Sequence, residues 1–423
     1  IVRDYINLHS PYRGLLLYHG LGAGKTCSSI AIAEGIKNTN TVVVMTPASL
    51  QMNYIQQLKK CGDPLYKDNQ HWEFIKTEND DGSIDKDLEN SLVSILNVSL
   101  AYVRANKGAW LVNATKPANY NKKHQRDRAS INDQINNMIR HKYQFVNYNG
   151  LNQNKLTQLE NQAKLTHGRN NIFDNKIVII DEVHNLVSRI VNKIKKDKNN
   201  TTVTMKIYNY LLDANNCRIV ALTGTPIVNY PNEIGILFNI LRGYIKTYYF
   251  SLDTSRVGKL NLDKIIKILS NNGFVDYIAF NSKINELKIT RNPYGFFNKK
   301  DKQRNYAGVK ASKFGKVDDN KFRKSVIETL DKHHILVDAN SAKIENNLAL
   351  PDTFKGFNMR FIDPINKSLV NKLRFSRRIL GLTSYFRSAQ EKLLPRFNPD
   401  TDIDDTPLKM SDYQLAIYET ART

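Results

Sequence analysis

The sequence predicts a doubly wound α/β fold, in which a parallel sheet carries helices on both faces. Short apolar runs rich in β-branched residues alternate along the chain with helical patterns. Apolar runs without alternation are typical of strands buried on both faces, the usual environment in a parallel sheet. The strands are predicted at residues 15–18, 42–45, 144–147, 177–180 and 218–222. Polar motifs follow several of them, at the carboxyl ends where such sheets bind ligands.

The charge balance favours a polyanionic partner. The chain has 423 residues, with 62 Lys and Arg against 40 Asp and Glu, a formal net charge of +22. A surplus of this size is typical of nucleic-acid-binding proteins, although a lysine-rich proteome would produce it as well. The length allows two or three domains, each with its own core.

The cysteine pattern and the hydropathy exclude several classes of protein. Cys27, Cys61 and Cys217 lie far apart in the sequence, without a C-x-x-C motif or a Cys/His cluster. This argues against a zinc site and a disulfide framework, and suits a reducing compartment. No apolar run approaches the about 18 residues of a membrane helix, and no signal peptide is visible. We therefore expect no membrane association and no secretion.

The most specific motif is a glycine-rich turn between the first predicted strand and a helical run. Such a turn aims backbone N–H groups at phosphate, while its lysine reaches the β- and γ-phosphates and its hydroxyl residue binds Mg²⁺. These roles fall to Lys25 and Thr26. The strict P-loop pattern has Gly where His19 stands, so the match is to the shorter G-x-G-K-T form. The predicted nucleotide-binding residues are Gly20, Leu21, Gly22, Ala23, Gly24, Lys25 and Thr26.

An acidic pair follows the strand at 177–180. An acidic pair at a strand end is typical of a metal-assisted hydrolase. Asp181 would hold Mg²⁺ through water, and Glu182 would polarise the attacking water as general base. His184 could link the nucleotide to the next motif, or it could be a surface histidine at a helix start.

Two hydroxyl residues follow the strand at 218–222. Thr223 and Thr225 belong to the run Thr-Gly-Thr-Pro, which read alone is only a turn with proline. Because this run comes third in the chain, after the glycine-rich turn and the acidic pair, its hydroxyls could hydrogen-bond the acidic pair and sense loss of the γ-phosphate.

Together these motifs resemble motifs I, II and III of superfamily 2 ATPases. The segment 46–54 is similar to motif Ia of the Swi/Snf ATPases, which lies along the nucleic-acid backbone. The resemblance implies a RecA-like ATPase lobe, ATP and Mg²⁺ as cofactors, and nucleic acid as partner. It also implies backbone contacts from Thr46, Pro47, Ala48, Ser49 and Asn53.

Further segments resemble the ATPases of nucleocytoplasmic large DNA viruses, which include the poxvirus nucleoside triphosphate phosphohydrolase I and the early transcription factor ATPase subunit. The segments are 10–19, 145–150 and 410–422. The resemblance implies nucleic-acid contacts from Tyr148 and Asn149. It also implies duplex DNA as the track, with viral RNA polymerase or transcription factor subunits as further candidate partners. The expected location is the virion or the viral factory in the host cytoplasm.

Three domains are expected from these matches. The first RecA-like lobe would cover residues 1–244, with an insertion at about 62–140 that is rich in Asn, Asp and Lys. A linking or inserted helical region would cover 245–372, and the start of a second RecA-like lobe 373–423. The arginine-containing segment that completes the site in the family's second lobe is not found. We therefore expect the chain to end early in that lobe, to bind ATP and to hydrolyse it poorly.

Three functions remain open at this point. The first is a Swi/Snf-like translocase on duplex DNA acting in viral transcription. The second is a helicase that separates DNA or RNA strands, which the motifs do not distinguish from the first. The third is a non-motor ATP-binding scaffold subunit of a transcription or virion complex.

Overall fold

The fold is described from a computed structural model, which defines the placement of most of the chain. The described residues are 2–6, 12–20, 22–36, 41–79, 81–197, 199, 201–258, 260–270, 272–292, 296–303, 306–311, 319–338, 343–386, 398 and 406–422. Leu21, one of the predicted nucleotide-binding residues, lies outside them. Two compact units are distinguished, residues 1–386 and 387–423.

The strands of the described residues form one large sheet and three smaller ones. In chain order they are β1 (Gly14–His19), β2 (Thr41–Met45), β3 (Trp72–Lys76), β4 (Gly108–Val112), β5 (Tyr143–Val146), β6 (Lys176–Ile180), β7 (Arg218–Leu222), β8 (Ile245–Asp253), β9 (Val275–Asn281), β10 (Glu286–Arg291), β11 (Phe296–Lys300), β12 (Tyr306–Ala311), β13 (Leu336–Val337), β14 (Lys343–Asn347) and β15 (Thr383–Phe386).

The helices alternate with these strands. In chain order they are α1 (Val2–Tyr5), α2 (Lys25–Ile36), α3 (Gln51–Cys61), α4 (Lys86–Leu96), α5 (Leu100–Ala105), α6 (Gln125–Lys142), α7 (Gln153–His167), α8 (Val183–Ile194), α9 (Val203–Asp213), α10 (Asn232–Arg242), α11 (Leu262–Leu269), α12 (Asp319–Asp331), α13 (Phe354–Phe361), α14 (Lys372–Ile379) and α15 (Asp412–Arg422). The ends of α7 follow local rules: the Asn152 side chain accepts from Lys155 N, and Gly168 ends the helix at φ +73°.

The large sheet is parallel throughout, with the order β15-β1-β7-β6-β2-β5. The predicted α/β fold class is therefore confirmed, and each of the five predicted strands is present within one residue of its expected start. β1 lies inside the sheet, between β7 and β15. Its carboxyl end, where the glycine-rich turn follows, is therefore flanked by the ends of two other strands.

Both faces of the sheet are covered, which explains the unbroken apolar strands. On one face, Leu16, Val178 and Ile219 pack in a core with residues of α8, α9 and α10. On the other face, Leu17 and Val44 pack with residues of α2, α3 and α6. Successive residues of each strand thus enter opposite cores, as the two-residue period of a strand requires.

The segment between β2 and β5 contains the predicted insertion. It includes the antiparallel pair β3–β4 and the helices α4, α5 and α6. Gln134 of α6 ties the pair to the lobe, because its side-chain amide both accepts from Trp110 N and donates to Trp110 O, each at 2.8 Å. Trp72 and Trp110 lie in the same core as α2 and α3. The insertion therefore packs on the lobe through a shared apolar core.

A second excursion follows α10. Here β8 pairs antiparallel with β10, β13 and β14, and β10 also pairs with β9. A separate core joins these strands to α11 and α12, with Tyr248, Ile289 and Phe322 fully buried. The sequence predicts a helical region at 245–372, and the described residues there include a sheet as well.

The chain returns to the large sheet at β15, which pairs parallel with β1 along residues 16–19. β15 lies inside the range that we assigned to a second lobe, yet it belongs to the first compact unit. The second unit contains α15, where Ser411 and Gln414 form a capping box. The division into lobes remains a prediction.

One expectation from the sequence is wrong. Cys27 and Cys61 form a disulfide, with their Cα atoms 5.4 Å apart and a separation of 34 positions in the chain. Cys217 is free and buried. The pairing arises because α2 and α3 pack side by side, a contact that cysteine spacing alone does not reveal. Among the described residues, no helix combines the length and apolar character needed to cross a bilayer.

Candidate nucleotide-binding site

The glycine-rich turn joins β1 to α2, as predicted. Gly22 and Gly24 both have φ +72°, in the left-handed region that favours glycine. A methyl group built on either residue meets no atom within 4 Å, so the backbone rather than crowding requires glycine. The turn therefore leaves open space in front of its backbone, as a phosphate cradle needs.

Lys25 begins α2 and lies folded back on the turn. Its Nζ donates to His19 O at 3.1 Å and to Gly20 O at 3.3 Å. Both acceptors are neutral backbone carbonyls. An incoming phosphate would exchange two neutral acceptors for charged oxygens, which bond an ammonium about twice as strongly.

His19, which replaces the first glycine of the strict pattern, contacts β15. Its Nε2 lies 2.9 Å from Ser384 Oγ, and Gly20 N donates to Phe386 O at 3.1 Å. Burial, helped by the charge of Lys25, lowers the pKa of His19. A neutral, buried imidazole thus links the first residues of the turn to the neighbouring strand.

The acidic pair lies at the carboxyl end of β6. Burial, and after it the charge of Glu182, raises the pKa of Asp181 to about 6. Glu182 has φ +47°, a left-handed conformation rare for a residue with a side chain. Such strain is often found at functional sites. The strained residue is the one predicted to act as general base.

A third carboxylate, that of Glu233, accepts hydrogen bonds from the loop that follows Thr225. Glu233 at the start of α10 is almost fully buried, and its Oε2 accepts from Val228 N at 2.6 Å and Asn229 N at 3.2 Å. Its Oε1 accepts from Ser188 of α8 at 3.4 Å. The motif interpretation assigns no role to Glu233, although an acidic residue in the first turn of a helix is a recognisable capping signal.

His184 connects the acidic pair to the threonines. Its Nδ1 lies 2.8 Å from Thr223 Oγ1 and 3.4 Å from Glu182 Oε2. Thr223 Oγ1 in turn accepts from Thr225 N at 3.0 Å. The three predicted coupling residues are therefore brought together, and the surface-histidine alternative for His184 does not describe its position.

Tyr148 has a different environment from the one its predicted role suggests. Its side chain is 6% exposed, and its hydroxyl lies 3.1 Å from Asp181 O and 3.2 Å from Glu182 O, to which it donates. The hydroxyl thus holds the backbone of the acidic pair. Tyr148, two residues after the end of β5 and within the predicted nucleic-acid segment, therefore positions the site.

The other predicted nucleic-acid contacts divide by exposure. Thr46 is fully buried and Pro47 is buried beside it. Ala48, Ser49 and Asn53 are exposed around the start of α3, and Asn149 is exposed after β5. These segments are joined, because Asn147 donates to Gln51 Oε1 at 3.0 Å. The exposed residues, rather than Thr46 and Tyr148, could reach a backbone phosphate.

The donor set suits Mg²⁺ with a triphosphate. A hydroxyl and carboxylates are hard oxygen ligands of the kind that Mg²⁺ prefers. Burial and the neighbouring Glu182 raise the pKa of Asp181, and a divalent cation would offset the cost of burying that negative charge. Thr26 and Asp181 would hold the ion, and it would neutralise charge on the phosphates.

A protein-family model described as "Type III restriction enzyme, res subunit" matches residues 2–228, more than half of the chain and all three motifs. The chain belongs to this family. The family is helicase-like, so the superfamily 2 resemblance and the class of ATP-hydrolysing enzyme are confirmed at the level of family.

Viral proteins are among the relatives. A putative ATP-dependent RNA helicase of Acanthamoeba polyphaga mimivirus is 30% identical over 240 residues, which are 56% of this chain and 31% of that protein. A termination factor NPH-I homolog of African swine fever virus is 26% identical over 288 residues, 66% of this chain and 30% of that protein. The resemblance to ATPases of large DNA viruses is therefore confirmed.

Among solved structures, the SWI2/SNF2 ATPase core of Sulfolobus solfataricus in complex with dsDNA matches with a TM-score of 0.24 and 18% sequence identity, covering 54% of this chain and 30% of that one. The chain spans less than a third of the length of the two viral relatives.

Proposed function

We propose that this protein is a nucleic-acid-dependent ATPase that moves along duplex DNA without separating its strands. The observation that carries the proposal is the bridge from Glu182 through His184 to Thr223, which joins the acidic end of β6 to the threonine motif after β7. A group that contacts both the proposed base and a neighbouring strand end can report nucleotide state to another part of the protein.

The proposed chemistry follows from the positions of the side chains. Backbone N–H groups at residues 20–26 and the Lys25 ammonium bind the triphosphate, and Thr26 and Asp181 hold Mg²⁺. Glu182 accepts a proton from the attacking water, which adds in line to the γ-phosphorus as the bond to the leaving diphosphate breaks. Departure of the γ-phosphate then removes a negative charge near His184 and Thr223, and the hydrogen bond from Thr225 N to Thr223 Oγ1 rearranges.

The proposed nucleic-acid surface is the exposed start of α3 together with Asn149. Ala48, Ser49 and Asn53 belong to the segment that follows β2. Like Asn149 they are small or polar, so they suit contacts to a phosphodiester backbone rather than to base edges. The net charge of +22 supports a polyanionic track. Binding should therefore show little sequence preference and weaken steeply with salt.

The biological setting is proposed from the relatives. A named termination factor and helicases of large DNA viruses are among them, so we propose a role in viral transcription, in the virion or the host cytoplasm. Viral RNA polymerase or transcription factor subunits are the proposed protein partners.

A strand-separating helicase is the second candidate, because a mimiviral relative carries the name of an RNA helicase. Two assays with the full-length protein distinguish the candidates. Displacement of a third strand from a DNA triplex, without unwinding of a forked duplex, supports translocation. ATP-dependent unwinding of the fork would overturn it in favour of the helicase.

A further inference from the structure

The Cys27–Cys61 disulfide joins the two helices on which the proposed function depends. Cys27 follows Thr26 directly and lies in the first turn of α2, while Cys61 is the last residue of α3. α2 begins at the triphosphate-binding lysine, and α3 carries the proposed nucleic-acid contact Asn53. The bond therefore ties the ATP site to the nucleic-acid surface.

The two helices also contact each other without the bond. Ser29 Oγ lies 2.9 Å from Tyr54 OH in the buried interface, and Tyr54 and Leu58 of α3 lie in the same core as Ile30 of α2. Because the helices are already packed, the sulfurs need little backbone motion to meet. The Cα separation of 5.4 Å lies within the usual range for disulfides.

The surroundings favour reaction with a soluble disulfide. Both cysteines are partly exposed, whereas Cys217 is buried. The amino end of a helix stabilises negative charge, so the first turn of α2 favours the thiolate that attacks disulfides. Lys59 and Lys60 precede Cys61 and would attract an anionic reagent. Disulfides that form inside reducing compartments are usually transient and redox-sensing.

The tethered turn of α2 carries the residues that the proposed function places on the triphosphate and its ion. Lys25 begins the helix, and its Nζ donates to the carbonyls of His19 and Gly20 in the glycine-rich turn. Thr26 follows it and directly precedes Cys27. A covalent bond at Cys27 restrains that turn against α3.

We propose that Cys27 and Cys61 form a reversible thiol–disulfide site, and that its oxidation weakens ATP binding by fixing the start of α2 against α3. This inference rests on the proposed function insofar as it names ATP as the ligand whose binding is weakened. Neither cysteine contacts the nucleotide in this scheme, so the site regulates binding and takes no part in hydrolysis.

The oxidant is a low-molecular-weight disulfide of the glutathione class. The Cys27 thiolate attacks one sulfur of the reagent, forming a mixed disulfide and releasing one thiol. The Cys61 thiolate then attacks the Cys27 sulfur, forming the protein disulfide and releasing the second thiol. The protein loses two electrons and two protons, and the reagent gains both as two thiols. A dithiol reverses the reaction.

The test compares the full chain after equilibration with glutathione disulfide and with a dithiol. Mass spectrometry of peptides identifies the linked cysteines, and calorimetry gives the ATP dissociation constant of each form. We expect a Cys27–Cys61 link and about tenfold weaker ATP binding when oxidised, within the usual range of coupling between sites. Cys61→Ser and Cys27→Ser should bind ATP equally in both conditions, while Cys217→Ala should respond like the wild type.

A readout that needs no ATP keeps the inference separate from the proposed function. Hydrogen exchange at the first-turn amides of α2 should be slower in the oxidised chain and unchanged by oxidant in Cys61→Ser. If the reduced chain binds no ATP, the proposed function fails, and hydrogen exchange decides whether the tether exists. Absence of the Cys27–Cys61 link, or a link that leaves exchange and ATP affinity unchanged, would overturn the inference.

Discussion

The imidazole of His184 lies 2.8 Å from the hydroxyl of Thr223, joining the first turn of α8 to the end of β7. The same nitrogen lies 3.4 Å from a carboxylate oxygen of Glu182. A side chain shared between two strand ends cannot keep both contacts unchanged if either end moves. We therefore propose this pair as the structural basis for coupling between ATP hydrolysis and motion.

Replacing Thr223 by Val should weaken the coupling between ATP turnover and nucleic-acid binding. The valine keeps the shape but removes the hydroxyl that contacts His184 and accepts from Thr225 N. We expect ATP binding to persist and nucleic-acid-stimulated turnover to fall about tenfold, which equals a loss of ~1.4 kcal/mol. Steady-state turnover with saturating duplex DNA measures the effect. Thr201→Val, a change of an exposed threonine in a distant loop, is the matched control, and equal turnover in both variants would contradict the coupling role.

Tyr148→Phe tests the positioning of the acidic pair. The variant loses the hydroxyl that donates to Asp181 O and Glu182 O while keeping the buried ring. We expect a loss of about 1 kcal/mol in the free energy of unfolding, typical of one buried hydrogen bond. Turnover should fall with nucleic-acid affinity unchanged. A variant that loses affinity for DNA and keeps its turnover would restore Tyr148 as a direct contact.

Asp181→Asn should stabilise the nucleotide-free protein at neutral pH. The pKa of Asp181 is raised to about 6 by burial and by Glu182, so the folded state binds more protons than the unfolded state between its unfolded pKa of about 3.9 and 6. Stability of the wild type is therefore lost as pH rises through this window. The asparagine variant avoids the loss, an advantage of about 3 kcal/mol at neutral pH that vanishes near pH 4.

Denaturant unfolding at both pH values, with a chelator and without nucleotide, measures this difference. The same variant should lose the stabilisation that Mg²⁺ and ATP give the wild type. An equal or lower stability of Asp181→Asn at neutral pH would show that the carboxylate is already compensated within the protein.

Lys25→Ala should abolish stabilisation by ATP. A ligand at a hundred times its dissociation constant stabilises a protein by about 2.7 kcal/mol, and the variant loses the charge that binds the phosphates. Thermal unfolding with and without MgATP measures this stabilisation. Lys60→Ala, which removes an exposed lysine at the end of α3, is the control with equal net charge. A full ATP-dependent shift in Lys25→Ala would mean that the nucleotide binds elsewhere.

The central sheet and the positions of its motifs at strand ends could be predicted because both are local signals in the sequence. The apolar run of β6 and the acidic pair after it are adjacent in the chain, and β1 precedes its glycine-rich turn in the same way. Fold topology then brings consecutive strand ends together, so the contact of His184 with Thr223 could be expected from motif order alone.

What could not be predicted depends on contacts between distant segments. The return of the chain at β15, which contacts His19 through Ser384, follows an excursion with its own core. The inward direction of Tyr148 and the pairing of Cys27 with Cys61 depend on how neighbouring elements pack. Neither leaves a periodic or compositional signal in the sequence.

The most direct test of the central claim is ATP turnover by the full-length protein, alone and with duplex DNA, single-stranded DNA or RNA. We expect duplex DNA to stimulate turnover most, the stimulation to fall steeply with salt, and Glu182→Gln to lose about 10²–10⁴ of the rate while still binding ATP. Turnover that no polymer stimulates, despite ATP binding, or full activity in Glu182→Gln would contradict the account.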